Sequence, residues 1–89
     1  MKTFDSLWSE LSAKSQSGVA AHDSSTVSAL NNGTHFIAKK VIEEAGEVML
    51  AAESQGQAEL AEEISQLLYW LQVLMLDKKI SLEDVYRRL

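Results

Sequence analysis

The sequence predicts an all-α protein in which two long antiparallel helices and shorter flanking helices form a helical bundle that is completed as a homodimer. Apolar residues recur at steps of three and four through residues 37–52 and 60–74, which is the spacing of a buried helical face. The pattern is interrupted between these stretches at residues 54–56, and consecutive helices joined by a tight loop pack antiparallel. No stretch shows the alternation typical of a strand. A chain of 89 residues is expected to form one domain, residues 1–89.

The first helix is predicted from a capping residue, Thr3, followed by an apolar stripe at helical spacing. The stripe consists of Phe4, Leu7, Trp8 and Leu11. The helix should end near residues 15–18, where small and polar residues take over. Residues 17–25 should form a loop, and long loops in compact proteins are often functional.

The next two helices are predicted from their start and stop signals. A short helix should begin at Asp23 or Ser24 and end at residues 31–33. Thr34 should then cap a long second helix. Its buried stripe is predicted to be Ile37, Val41, Ala45, Val48 and Ala52. Gly46, in the middle of this helix, costs about 1 kcal/mol relative to alanine, which suggests close approach of another element or a ligand.

The third long helix is predicted to span residues 57–78, and its second half is apolar on every side. Its main stripe comprises Leu60, Ile64, Leu67, Leu71 and Leu74. A helix that is apolar all round is buried all round, and a monomer of this size cannot enclose it, so we expect a homodimer. A capping box formed by Ser81 and Asp84 predicts a short final helix.

Composition narrows the possible functions. A net charge of −5 argues against non-specific nucleic-acid binding, because phosphates attract a basic surface. The longest apolar run, residues 67–76, is too short to cross a bilayer, so no membrane association is expected. The chain contains no cysteine, which fits a cytoplasmic location, and its N-terminus does not resemble a secretory signal.

Two acidic segments form the candidate site. Glu44 and Glu47 are three residues apart and therefore share one face of a helix, with Lys40 a turn earlier. Glu63 and Gln66 repeat this spacing on the next helix. Carboxylate and amide oxygens from both helices can ligate a divalent cation such as Mg²⁺, and an acidic protein can handle a phosphorylated substrate through such an ion. The site is therefore predicted to bind Mg²⁺ and hydrolyse a nucleotide phosphoanhydride.

Less specific interpretations remain open for these residues. Most isolated pairs of this kind are solvated surface, and Lys40 can simply neutralise Glu44 four residues on. A di-iron carboxylate bundle would need Glu-x-x-His motifs, and neither His22 nor His35 has glutamate at that spacing. Trp8, Tyr69 and Trp70 are interpreted as core or dimer-interface residues.

Three stretches carry a resemblance to a known family. They are Ser-Ser-Thr-Val-Ser-Ala-Leu-Asn-Asn-Gly at residues 24–33, Lys-Val-Ile-Glu-Glu-Ala-Gly-Glu-Val at 40–48 and Glu-Glu-Ile-Ser-Gln-Leu-Leu-Tyr-Trp at 62–70. Together they resemble the phosphoribosyl-ATP pyrophosphohydrolases of histidine biosynthesis, members of the MazG-like superfamily of small all-α nucleotide pyrophosphohydrolases. The resemblance implies Mg²⁺-dependent hydrolysis of phosphoribosyl-ATP to phosphoribosyl-AMP and pyrophosphate, the second step of L-histidine biosynthesis, by a homodimer.

The resemblance also assigns roles to individual residues. It implies that Glu44, Glu47 and Glu63 are catalytic metal ligands and that Lys40, Ser24 and Thr26 contact the substrate. Three positions depart from the family pattern. Gln66 stands where an aspartate usually closes the second acidic pair, Trp70 stands where histidine is frequent, and Ser25 replaces the usual tyrosine.

Two other functions are compatible with the sequence. One is a general pyrophosphohydrolase of ribo- and deoxyribonucleoside triphosphates, and the other is a non-catalytic helical dimerisation module.

Overall fold

A computed structural model describes residues 1–17 and 25–89 of the chain. Five helices occupy most of these residues: α1 (Phe4–Ser17), α2 (Ser25–Asn32), α3 (Thr34–Ser54), α4 (Gln57–Lys78) and α5 (Leu82–Tyr86). The described ranges contain no strand, which confirms the predicted all-α class. None of the helices in these ranges is both long and apolar enough to span a membrane. The predicted loop at residues 17–25 lies largely outside the described residues.

The two long helices, α3 and α4, form the centre of the structure and make its most extensive helix pairing. Thr34, at the start of α3, donates a hydrogen bond from Oγ1 to Oδ2 of Asp77, near the end of α4, at 2.5 Å. Phe36 packs against Trp70, and Glu44 meets Glu63 closer to the connecting turn. Because residue numbers rise along α3 as their partners' numbers fall along α4, the pair is antiparallel, as predicted.

The core lies where α1 and α2 pack on this pair. One residue from each of the first four helices is almost completely buried there: Leu11, Ala29, Ile37 and Val73. Burying such side chains contributes roughly 1.5–3 kcal/mol for each large aliphatic residue. Gln72 is also fully buried, and its Nε2 donates to the carbonyl oxygen of Phe4 at 2.8 Å, which ties the start of α1 to α4.

Two of the three predicted helix caps are confirmed. The backbone N–H of Ser6 donates to Oγ1 of Thr3 at 3.0 Å, and Ser81 with Asp84 forms a reciprocal capping box. Thr34 is not a cap. Gly33 holds the N-cap position of α3 with a φ of +95°, and the Thr34 side chain is instead bonded to Asp77. The Thr34 hydroxyl, which the local sequence predicts to cap the helix, therefore bonds to a residue of another helix instead.

The predicted buried stripe of α3 is partly wrong. Ala45 and Ala52 are exposed, whereas Ala51 is buried and Glu44 is half-buried. The observed seam is Ile37, Val41, Glu44, Val48 and Ala51. Successive residues of this seam are separated alternately by four and three positions, which gives an average spacing of 3.5 residues. Residues at this spacing stay on the side of a helix that faces a packed neighbour. Glu44 therefore lies within the seam between α3 and α4.

The close approach expected at Gly46 is absent from the single chain. A Cβ placed on Gly46 would have no neighbour within 4 Å, and the residue is exposed. No contact within the described part of the chain therefore explains the glycine.

Candidate active site

The site begins with Glu44, which α3 places on its seam with α4. Its neighbours along the seam, Val41 and Val48, are apolar and half-buried, so the carboxyl group of Glu44 is held at the edge of a packed interface. Glu47 is one helical turn further on and is exposed. The pair therefore combines one carboxyl group fixed by packing with one that is free to move.

Glu63 on α4 completes an acidic cluster across the seam. Partial burial raises the pKa of Glu63 above its ordinary value of 4.5, and the negative charges of Glu44, Glu47 and Glu62 raise it further. A hydrogen bond between the side chains of Glu63 and Glu44 acts in the same direction. The structure thus brings together Glu44, Glu47 and Glu63, the three carboxylates singled out in the sequence.

The remaining members of the two acidic segments are more exposed. Gln66 lies one turn beyond Glu63 on α4, with its side chain in solvent. Glu62 is exposed too, yet its charge still reaches Glu63. An amide at position 66 adds an oxygen without adding charge, so the cluster carries less repulsion than four carboxylates would.

Lys40 does not neutralise Glu44. Its ammonium nitrogen lies 3.4 Å from Oε2 of Glu43, so the ion pair uses the i,i+3 neighbour. The same nitrogen lies 5.7 Å from the ring centroid of Phe36 and 6.0 Å from that of Trp70. Lys40 thus lies near one ring from each of the two helices and pairs with Glu43, which leaves the carboxyl group of Glu44 to face Glu63.

The two residues expected to touch substrate from the loop and α2 have different positions. Ser24 lies outside the described residues. Thr26 is only 2% exposed, and its hydroxyl is 2.7 Å from that of Tyr69. In this conformation Thr26 reaches the site through Tyr69, whose ring packs edge-on against Trp70 at 5.3 Å between centroids.

Sequence reasoning missed Phe36, which lies beside Lys40 on α3. Tyr69 and Trp70, interpreted from the sequence as core or dimer-interface residues, do pack against the buried core, and Trp70 also meets Phe36. A signal was present, because Phe36 and Lys40 are four residues apart and therefore neighbours on one helical face. Trp70 could be placed beside them only once the register of α3 against α4 was known.

The oxygen atoms of the cluster are of the type that binds a hard cation, but their present positions do not form a set of ligands for one ion. Within residues 1–17 and 25–89, no three His, Cys, Asp or Glu side chains are arranged to ligate one ion together. However, Glu44 and Glu63 already lie close enough for their side chains to interact across the seam. Glu47 and Gln66 are exposed and lie one turn further along α3 and α4, so each helix offers a further oxygen donor.

Fold and site together define an all-α protein with a carboxylate cluster between two antiparallel helices. The sequence profile of the family described as phosphoribosyl-ATP pyrophosphohydrolase matches residues 13–89. Two curated proteins named phosphoribosyl-ATP pyrophosphatase are similar over the full length of both chains. One, from Bifidobacterium adolescentis, is 55% identical over 89 residues, and the other, from Bifidobacterium animalis subsp. lactis, is 54% identical over 89 residues. The chain belongs to the phosphoribosyl-ATP pyrophosphohydrolase family, which confirms the resemblance inferred from the sequence.

Proposed function

We propose that this protein hydrolyses phosphoribosyl-ATP to phosphoribosyl-AMP and pyrophosphate in L-histidine biosynthesis. The observation that carries the proposal is the cluster of Glu44, Glu47 and Glu63 between α3 and α4, in a chain that shares more than half its residues with two proteins named for this activity. We further propose that the enzyme is cytoplasmic, since the chain has no cysteine and needs no oxidising compartment.

The cluster is the proposed site of Mg²⁺. The ion would be held by Glu44, Glu47 and Glu63, with the amide oxygen of Gln66 as a further ligand. When bound, it supplies positive charge that stabilises the reacting phosphoryl group and the leaving pyrophosphate. The positive charge of the ion would offset the net charge of −5 of the chain, which would otherwise repel an anionic substrate.

The protein's own groups then complete the reaction. A carboxylate of the cluster orients the attacking water and accepts its proton as the new phosphorus–oxygen bond forms and the bond to pyrophosphate breaks. Lys40 lies a turn from Glu44 and contributes a point charge for a substrate phosphate. The other proposed substrate contacts are Ser24, and Thr26 acting through Tyr69.

A homodimer is the proposed assembly. Ile42 and Met49 of α3 are 73% and 63% exposed, and Ile64 and Leu68 of α4 are also exposed large apolar residues. About its own helix axis, each of these two residue pairs is displaced from the α3–α4 seam in the same rotational sense. In an antiparallel helix pair, residues displaced in the same sense on both helices lie on one face, so the four side chains share a face. An apolar patch of this kind marks an interaction surface. The carboxylate Glu47 is rotated in the opposite sense, so the proposed interface leaves it accessible.

The dimer is tested by measuring molar mass in solution by light scattering. The protein should have twice the mass of one chain, and Ile42→Asp should dissociate it. Ile80→Asp serves as the control, because Ile80 is also an exposed isoleucine, at 40%, but lies after α4. A wild-type monomer, or equal dissociation by both variants, would contradict the proposed interface.

The activity is tested by pyrophosphate release with Mg²⁺ from phosphoribosyl-ATP and, in parallel, from ordinary ribo- and deoxyribonucleoside triphosphates. Glu44→Gln and Glu47→Gln should each reduce turnover by at least about 100-fold while the helical structure persists. Glu53→Gln, a matched change at an exposed position of α3, should leave turnover unchanged. Turnover of simple triphosphates alone would indicate a general pyrophosphohydrolase, and no turnover of either would favour a dimerisation module.

A further inference from the structure

Three aromatic side chains form a connected group, and two of them, Phe36 and Trp70, lie on the face of α3 and α4 that also carries Lys40. Phe36 and Trp70 meet edge to face, with 6.2 Å between ring centroids and 70° between ring planes. Tyr69 meets Trp70 at 82°. Phe36 is 36% exposed and Trp70 is half-buried, so the group is open to solvent on one side. We call Phe36 and Trp70 together the aromatic shelf.

The shelf, Lys40 and the carboxylates follow one another along the helix pair. On α3, Phe36, Lys40 and Glu44 are separated by one helical turn each. On the antiparallel α4, Trp70 lies opposite Phe36, and Glu63 lies opposite Glu44. At a rise of 1.5 Å per residue, Trp70 and Glu63 are roughly 10 Å apart along the helix axis. An aromatic surface, a cation and an acidic cluster therefore occupy successive turns.

This order matches the order of groups in a nucleotide. A purine ring stacks on aromatic surfaces, phosphates pair with ammonium groups, and the remaining phosphate charge would be balanced by a cation that the carboxylates hold. Lys40 is compatible with such a ligand, because its contacts with the two rings are at the outer limit of a cation–π interaction. A stacking base can displace its ammonium group toward the phosphates.

We propose that the aromatic shelf is the subsite for the adenine ring of the substrate, with Phe36 as the residue that the base contacts directly. The proposal rests on the proposed function for the identity of the nucleotide. Tyr69 acts behind the shelf as a positioning residue: its hydroxyl is anchored by the buried hydroxyl of Thr26, and its ring supports that of Trp70.

Steady-state kinetics with phosphoribosyl-ATP test the shelf. Phe36→Ala should raise KM by about tenfold, the usual loss when one base-stacking ring is removed, with little change in kcat. Phe36→Leu keeps an apolar side chain and should also raise KM, which guards against a folding defect in the alanine variant. Tyr86→Ala is the matched control, because Tyr86 is an aromatic residue of similar exposure on α5. An unchanged KM in Phe36→Leu would overturn the proposal.

A binding measurement separates this proposal from the proposed function. The chain has two tryptophans, so Trp8→Phe leaves Trp70 as the sole tryptophan, whose emission can be excited selectively over that of the two tyrosines. In Mg²⁺, non-hydrolysable α,β-methylene-ATP should quench Trp70 emission, whereas tripolyphosphate, which has no base, should not. If the nucleotide quenches but phosphoribosyl-ATP is not turned over, the proposed function fails and the shelf stands. If both ligands or neither change the emission, the shelf is refuted even in an active enzyme.

Discussion

The hydrogen bond between Thr26 and Tyr69 is the contact most open to a quantitative test. Thr26 is 2% exposed, and the two hydroxyl oxygens are 2.7 Å apart. Thr26→Val preserves the shape of the side chain but removes its hydroxyl. Losing a buried neutral hydrogen bond costs about 1–2 kcal/mol. For a chain of this size each kcal/mol lowers Tm by roughly 4–8 °C, so the variant should melt roughly 5–15 °C lower.

A double-mutant cycle isolates the contact from other effects of the substitutions. Tyr69→Phe should cost at least as much as Thr26→Val, because it leaves the buried Thr26 hydroxyl without its partner. The double variant should be little worse than either single variant, giving a coupling energy of about 1 kcal/mol. The assay is thermal unfolding by circular dichroism at one fixed protein concentration, because the melting of the proposed dimer would depend on concentration.

Kinetics on the same variants decide what Thr26 does for the reaction. If it acts through Tyr69, Thr26→Val and Tyr69→Phe should raise KM to a similar extent. A Thr26→Val variant with an unchanged Tm and a raised KM would instead place this hydroxyl on the substrate. Additive changes in Tm in the double variant would refute the reasoning from the hydrogen bond.

Three further predictions follow from the site and the helix ends. Because the folded chain raises the pKa of Glu63, the folded state binds this proton more tightly than the unfolded chain does, and its stability falls as pH rises from 4.5 through the raised value. Glu63→Gln should therefore raise Tm at neutral pH without metal, with the gain vanishing below pH 4.5, while abolishing stabilisation by Mg²⁺. Gly33→Ala should lower the free energy of unfolding by about 1–3 kcal/mol in urea titrations, because Gly33 has a φ of +95°. Gln72→Met should change stability by less than about 1.5 kcal/mol in the same titrations, because it removes the buried Oε1, which has no hydrogen-bond partner, along with the bond to Phe4.

Each of these predictions has a clear contrary result. A gain from Glu63→Gln that is independent of pH would show that the ionisation of Glu63 is not its cause. A Gly33→Ala protein as stable as wild type would mean that α3 can begin without the left-handed residue. A large loss in Gln72→Met would show that the hydrogen bond to Phe4 outweighs the orphaned oxygen.

The candidate site was predictable at the level of single helices. The three-residue step from Glu44 to Glu47 places both carboxylates on one helical face whatever the helix packs against. The same holds for Glu63 and Gln66. What could not be predicted is the rotation of each face relative to the other helix. For that reason the sequence placed Ala45 in the seam, whereas the structure has Glu44 there, in contact with Glu63.

Polar contacts between side chains of different helices could not be predicted from the sequence for the same reason. Thr34 has the right residue type for a cap, but a bond to Asp77 competes for its hydroxyl. Lys40 has two acidic neighbours on α3, Glu43 and Glu44, and the rings of Phe36 and Trp70 favour the orientation that pairs it with Glu43. The spacing of residues in the sequence identifies the possible partners of a side chain but does not show which one it contacts.

The sequence by itself determined the helical class, the positions of the long helices, the caps at Thr3 and Ser81 and the two acidic segments. All of these depend on interactions within a few residues, and the geometry of one helix is enough to derive them. Only the tertiary structure decided that Glu44 and Glu63 interact across the seam, that Thr26 is buried against Tyr69 and that Phe36 meets Trp70 beside Lys40. These contacts join residues distant in the chain, so they depend on how α3 and α4 rotate and slide against each other. That choice is made by the packing of the whole core.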